Sequence, residues 1–543
     1  VARMKMGLRP AIKYDGKVYV GQRSDSHNSA ASYYGIPAPE DKRGFSPDGK
    51  LFLDRQKAVG WVRYNEPDVF SKLHKLLTPD GMHSEQYAKA KGIQQNESAI
   101  AAREGSGTSK LGREVSKGKS GDDGGTGAAL NTKTAIVYDR GGLYLYCAEK
   151  LAEKYKKVYY FLADSDAYPS SKKHTIGAGL AKVERIYDLW EHLDKADIVY
   201  QFDCYDGSLG HYLSNHNIPV FSSKLGEKVE IDKIYFLELL EKLELPCPET
   251  QLCEGMDELK EYLEKHDGET LWLKNLHRGD FETKKFRSMA QIKPFLDDLR
   301  KRIGTASDTM EVLVQSKIDS VCEAGYDGFQ VDGQFTNNCI IGYEAKDAGF
   351  VGKIFSETPE ILKHINDAFS DTFKELGYRG NYSTEVRITK DGVPYFIDPT
   401  CRVPSPPGEL MVELYENWAE ATWEIAHGIL PTLKPIAKFG AEIILTSDWY
   451  NEHELHVTFP KKYKQNVKLK NHTVRDGEYY CVPNENGAFF GAVVAWGDTM
   501  REAISNVKKI AKEVEADELK YDDGIFDSIQ ESVNAGKAFG LGF

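Results

Sequence analysis

Long apolar runs are missing from this chain. The longest uncharged, mostly apolar stretch, Gly487 to Gly497, falls well short of the roughly 20 residues a spanning helix needs, so no membrane partner is expected. Val1-Ala2-Arg3-Met4-Lys5-Met6 is basic but lacks the apolar segment of a secretory signal, and a cytoplasmic location is expected. The eight cysteines are scattered with no CxxC pair, which excludes a disulfide scaffold or a zinc ribbon and predicts free thiols. Positive charge is also in deficit: 70 Lys+Arg against 83 Asp+Glu leave a net charge of −13. Such a chain is not built to coat nucleic-acid backbones or anionic membranes, although a modified base could still serve as a substrate. Walker A, HExxH and GxSxG motifs are absent, and the Gly141-Gly142 turn is too little of a GxGxxG motif to suggest a dinucleotide site.

What is present is length and alternation. At 543 residues the chain predicts three to four domains at roughly 150 residues each. Residues 96–132 are rich in Gly, Ser and charge with almost no large apolar side chains, so they predict a flexible linker. Before it, residues 1–95 predict a small α+β module. There Asp15-Gly16 between alternating runs signals a hairpin, and Asp54 is placed to cap a helix from Arg55. The module's polar side chains form no spacing tied to chemistry, so it reads as a small docking or targeting domain for a protein partner, with no function assigned. From Lys133, β-rich runs at Thr134–Tyr138, Val158–Leu162, Ile198–Phe202 and Pro219–Ser222 alternate with helical segments, predicting a doubly wound parallel sheet over residues 133–226. The overall class is α/β with α+β parts.

The segment STEVRITKDGVPYFIDPTCR carries the chemistry. It reads as two strands joined at Lys390-Asp391-Gly392, with Glu385 on the first and Asp398 and Thr400 on the second. Side chains two apart on a strand share a face, and hairpin pairing can set Glu385 beside them. Two acids so placed repel unless a cation lies between them, and hard Mg²⁺ suits such an oxygen set together with phosphates. Arg402 follows two residues beyond Thr400, adding a cation near that end.

This ending resembles the metal-binding strands of the ATP-grasp family, Glu followed after a dozen or so residues by Glu-x-Asn-x-Arg. Here it reads Glu385, then Asp398-Pro399-Thr400-Cys401-Arg402, with Thr400 in the place of the usual Asn. The resemblance implies that Glu385, Asp398 and Thr400 hold Mg²⁺, or Mn²⁺ in its place, against ATP. It extends upstream in order and spacing. IDKIYFLELLEKLELPCPET and LWLKN imply ATP-binding lysines at Lys233 and Lys274, and EVLVQSKIDSVCEAGYDGF resembles the hinge. There Gln315, Lys317 and Ile318 would edge the adenine, and Glu323 would take the ribose hydroxyls. The family's Gly-rich phosphate loop is reduced to one glycine in NLHRGDFETKKFRS, leaving His277, Arg278, Lys284 and Lys285 as candidate phosphate contacts. Lys346, Asp347 and Lys353 fall where members contact the acyl phosphate or acceptor.

The resemblance further implies a pre-ATP-grasp domain (133–226), an ATP-grasp domain pair (227–432) and a small C-terminal α/β domain (433–543), the last similar to that of phosphoribosylamine-glycine ligases. The implied activity is an ATP-dependent carboxylate-amine ligase. An acyl phosphate forms from a small-molecule or peptide carboxylate, with Arg402 and Lys353 as catalytic candidates, and an amine displaces phosphate. A catalytically altered ATP-binding or docking protein on the same fold is the alternative. Limited proteolysis is expected to cut between Gly105 and Ala128 and leave the body from Lys133 to Phe543 folded; protection throughout that stretch, read by mass spectrometry, would refute the linker.

Overall fold

The β-rich runs and helices after Lys133 form a five-stranded parallel sheet in the computed structural model, which describes residues 9–14, 17–20, 43–46, 53–54, 129–163, 173–276, 283–483 and 487–543. Its strands, in the order β7-β6-β5-β8-β9, are β5 (Thr134–Asp139), β6 (Lys157–Leu162), β7 (Val183–Ile186), β8 (Ile198–Gln201) and β9 (Val220–Phe221). The edge strand β7 was not expected from the sequence; its VERI segment is short and half charged, which hides the β signal. Contacts divide the chain into two units, Val1–Asp122 and Asp123–Phe543. In the first, β1 (Arg9–Tyr14) pairs antiparallel with β2 (Lys17–Val20), and the expected Asp15-Gly16 turn lies outside the described residues. Strands β3 (Arg43–Ser46) and β4 (Leu53–Asp54) complete its four-stranded sheet. The helix expected from Arg55 lies outside the described residues.

In the second unit Leu130–Thr132 form a 3₁₀ turn that buries Leu130 against the parallel sheet, and residues 96–128 of the expected linker lie outside the described residues. Burying one large apolar side chain is enough to fix that turn.

Past the parallel sheet come three antiparallel sheets; one, of Leu455–Thr458, His472–Arg475, Glu478–Cys481 and Glu515–Ala516, lies near the C-terminal end, and the other two form the central part. The smaller has the order β10-β13-β11-β12, from β10 (Thr250–Glu254), β11 (Leu271–Asn275), β12 (Lys284–Phe286) and β13 (Glu311–Ser316). Leu271, Leu273 and Phe286 pack it on the amphipathic helices Met256–Lys265 and Met289–Ile303. The larger contains β14 (Ser320–Val331), β15 (Gln334–Phe335), β16 (Cys339–Ala345), β17 (Gly349–Phe355), β18 (Arg379–Thr389) and β19 (Pro394–Thr400). It continues through β17 into β20 (Phe439–Ser447), β25 (Phe489–Gly497) and β22 (Val467–Leu469). The sheet therefore runs straight across the boundary drawn at residue 433, since pairing satisfies the backbone groups that the edge of β17 would otherwise expose.

One face of this sheet carries Ala324, Tyr326, Ile341, Val351, Val386 and Phe396, which pack on the helices Lys233–Lys242 and Glu360–Glu375. On the other, Phe329, Ile340 and Phe350 meet the parallel sheet together with the helices Gly408–Leu414 and Trp418–Ala426. Strand alternation thus sorts one sequence onto two cores.

The turn after β5 is held by a single carboxylate. Asp139 is fully buried; its Oδ1 accepts from the N–H groups of Gly141, Gly142 and Leu143, and its Oδ2 from Tyr144 N–H and Tyr160 Oη. Asp139→Asn turns one acceptor into a donor that faces two donors, so it is expected to destabilise the body by about 2 to 3 kcal/mol in urea unfolding; an unchanged midpoint would show that the turn does not depend on this carboxylate.

Candidate active site

Strand alternation places the acids. On β18, Val386 and Ile388 are fully buried while Glu385 and Arg387 turn to the opposite, solvent-reached face. β19 pairs with β18 in a register that sets Asp398 directly opposite Glu385 and Thr400 opposite Ser383, with a bulge beside Glu385. On the neighbouring strand β14, Glu323 lies opposite Arg387 and bonds it, Arg387 Nε to Glu323 Oε2 at 2.8 Å. Arg387 Nη2 is 3.7 Å from Glu385 Oε1. Burial pushes the Glu385 carboxyl up to about 8, and the like charges of Glu323 and Asp398 act in the same sense, against Arg387 and Lys274. One guanidinium does not satisfy three carboxylates.

The facing wall comes from the small sheet. Alternation on β11 buries Leu271 and Leu273 and points Lys274 the other way. Lys274 lines a cleft with Leu313 and Gln315 of β13, Lys233 and Phe236 of the helix Lys233–Lys242, and Ile397 and Asp398 of β19. Burial holds the Lys274 ammonium below its ordinary value, and the charges it senses are Asp398, Lys233, Glu385 and Arg387. Two lysines and two acids, 165 residues apart at the extremes of Lys233 and Asp398, therefore share one electrostatic site. This cleft has only ≈ 20 Å³ of free space, room for about one water molecule.

The remaining candidates divide. Gln315 is buried and donates Nε2 to Thr250 Oγ1 at 3.0 Å, while Lys317 points outward to Asp319 at 2.6 Å. Ile318 sits in the link from β13 to β14, the only covalent tie there between the small and large sheets. Glu323 stands beside Arg387 and the acid pair, several residues along β14 from that link. Arg402 does not line the cleft and is engaged: its Nε donates to Glu230 Oε1 at 2.8 Å, and Cys401 N–H donates to Glu230 Oε2 at 2.6 Å. Burial opposes the Arg402 charge, and its neighbours, Glu230 first and then Tyr144, Cys204 and Asp203, together more than offset it.

Lys353 does not converge with the acids. Its partners in register are Ile341 and Phe439, so it takes the face of Tyr326 and Val351, three strands from β18, with its ammonium 5.0 Å from the Phe355 ring centre. Lys346 and Asp347 form the β16–β17 turn, Asp347 at φ 60°. Lys284 and Lys285 stack over Phe295 and Trp272, and His277 and Arg278 lie outside the described residues. Two site residues escaped the sequence reading. Arg387 could have been found from its i+2 spacing to Glu385; Glu230, which lines the cleft and holds Arg402, carries no sequence signal.

No family model matches the chain, and no curated protein matches it in sequence. Solved structures do match. Phosphoribosylamine-glycine ligase from Thermotoga maritima aligns at 16% identity and a TM-score of 0.54, over 72% of this chain and 98% of that one. The biotin carboxylase domain of 2-oxoglutarate carboxylase from Hydrogenobacter thermophilus, in complex with MgADP, ADP and bicarbonate, aligns at 12% identity and 0.53 over 72% and 91%. Biotin carboxylase from Campylobacter jejuni, in complex with a βγ-ATP compound, aligns at 15% and 0.53 over 72% and 94%. The body has the ATP-grasp fold. Within the ATP-grasp fold the small sheet and the large sheet are the two walls of the cleft, with Lys274 on one and Glu385 and Asp398 on the other.

The raised Glu385 carboxyl fixes the sign of a pH effect. A folded-state pKa above the unfolded one favours folding below the unfolded value, near 4.5, and this contribution is lost as pH rises to about 8. Without metal or nucleotide, Glu385→Gln is therefore expected to be more stable than the parent at pH 8.5. The difference is about 1 kcal/mol, allowing for solvent screening of a half-exposed group, and vanishes near pH 4.5. A parent as stable as the variant across that range, by thermal melts, would show that the acids are not in conflict.

Proposed function

We propose that the protein is an ATP-dependent carboxylate-amine ligase that makes an amide through an acyl phosphate, releasing ADP and phosphate. The observation that supports this reading most is the register of Glu385 against Asp398, opposite Lys274 on the facing wall. The donor set fits Mg²⁺: two carboxylates and the Thr400 hydroxyl leave the remaining positions to phosphate oxygens and water, the usual arrangement for this ion. No group of three or more His, Cys, Asp or Glu able to hold a metal occurs among the described residues. Mg²⁺ held there would neutralise triphosphate charge that otherwise repels an incoming carboxylate. Mn²⁺ offers the same oxygen preference.

The chain's own groups supply the rest. Lys274 and Lys233 hold phosphate oxygens from the small-sheet side, and desolvation of Lys274 strengthens that attraction. The backbone from Gln315 to Ile318 edges the base, and the narrowness of the cleft requires the small sheet to swing about this link to admit it. Arg402 takes up charge on the acyl phosphate only by loosening its bond to Glu230, so formation of the intermediate is coupled to that exchange. The carboxylate is that of an amino acid, small acid or peptide; the amine is a small molecule, a protein side chain or a modified base. Among the described residues no helix is long and apolar enough to cross a membrane.

ADP release with pooled amino acids and Mg²⁺ tests the reading. Glu385→Ala and Asp398→Ala are each expected to lower turnover at least about 100-fold. Parent turnover that survives both substitutions would overturn the site, and MgATP binding with no turnover would favour the altered, non-catalytic reading that the Thr400 substitution also suggests.

A further inference from the structure

The small sheet buries one face and carries a large aromatic on the other. Leu271, Leu273, Val312 and Val314 fill its core against the two helices, and Trp272 takes no part in that core. Alternation puts Trp272 on the same face as Lys274, two residues away on β11. Register arranges this face in two rungs across the sheet. Leu252, Leu313 and Lys274 make one; Thr250, Gln315, Trp272 and Lys285 make the other. Lys274, Leu313 and Gln315 line the cleft, so Trp272 stands on the cleft side of the sheet, beside Gln315.

The two rungs have an order relative to the link between the sheets. β13 ends at Ser316, opposite Leu271, and the chain then passes through Ile318 to β14. Trp272 is therefore the cleft-side residue of β11 nearest the link, and Lys274 lies about 7 Å farther along the strand. A nucleotide whose base meets the link and whose phosphates meet Lys274 runs along this face from Trp272 to Lys274.

Packing does not use the polar atom of this side chain. The ring is partly buried, while Nε1 is buried with no hydrogen-bond partner among the described residues. A buried indole N–H ordinarily finds a partner, because leaving the donor unmade is costly. Its neighbours on the rung do not serve it. Gln315 gives its Nε2 to Thr250 Oγ1 at 3.0 Å. Lys285, with its ammonium 5.5 Å from the indole ring centre, steadies the ring but carries donors alone. A flat apolar ring and an unused donor thus coincide on the wall of the cleft, at the end nearest the link.

We infer that Trp272 is a specificity-determining residue of the nucleotide site: its ring packs against the base, and its Nε1–H donates to an acceptor on the base or the sugar. This rests on the ATP-dependent reaction proposed above and adds a contact that bare polyphosphate, lacking both base and sugar, does not make.

Calorimetric titration of the full chain with MgADP and with magnesium tripolyphosphate tests the contact, with indole emission read alongside, since Trp272 is the single tryptophan of the small sheet. The parent is expected to bind MgADP with a change in emission. Trp272→Phe, which keeps a ring and loses the donor, retains part of the affinity and loses that change; Trp272→Ala binds MgADP at least about fivefold more weakly. Tripolyphosphate affinity is the same in all three. Equal MgADP affinity in the alanine variant, an emission change that persists in Trp272→Phe, or a parallel loss of tripolyphosphate binding overturns the inference while leaving the ligase reading in place. A parent that binds tripolyphosphate but not MgADP overturns both.

Discussion

Two carboxylates set side by side across a strand pair repel each other, and the arrangement of this molecule around Glu385 and Asp398 answers that repulsion. Register alone fixes their proximity: once Val386 and Phe396 go into the core, the bulge beside Glu385 leaves both acids on the outer face. Arg387 offsets part of the charge and Lys274 approaches from the opposite wall, yet the Glu385 carboxyl stays raised. The remaining imbalance depends on the hydrophobic face that pins the hairpin, and it is the basis of the proposal that a divalent ion is held here.

The same division of faces decides what is not in the site. Lys353 follows the register of Ile341 and Val351 into the apolar side, whereas Phe350 and Gly352 take the other. A Cβ at Gly352 would come within 2.4 Å of Ile340 and 2.7 Å of Phe350, so this part of the sheet is closed by packing and offers no room to a substrate. Charged side chains line the cleft between the sheets and, separately, the junction around Lys150, Glu413 and Lys468.

Much of the parallel sheet was legible because β-branched runs and helix-forming runs alternate over adequate lengths; Thr134–Asp139 and Leu145–Lys154 fall within a residue or two of expectation. β7 was not, since four residues with two charges carry little β signal. The hairpin of Glu385 and Asp398 could be read from period-two alternation about a turn, a purely local pattern. Lys233 and Lys274 were reached through resemblance, because nothing local marks a lysine that will meet an acid on another sheet. Glu230 was missed for that reason: its importance is its bond to Arg402, 172 residues away.

Sequence by itself determined the classes of element, the hairpin that pairs Glu385 with Asp398, and the charge balance, since these follow from local periodicity and composition. Tertiary structure alone decided which cations reach those acids, that Arg402 is already bound to Glu230, and that Lys353 faces the core. Each of those depends on strand order and on which face is buried, and contacts between distant segments leave no local pattern in the chain.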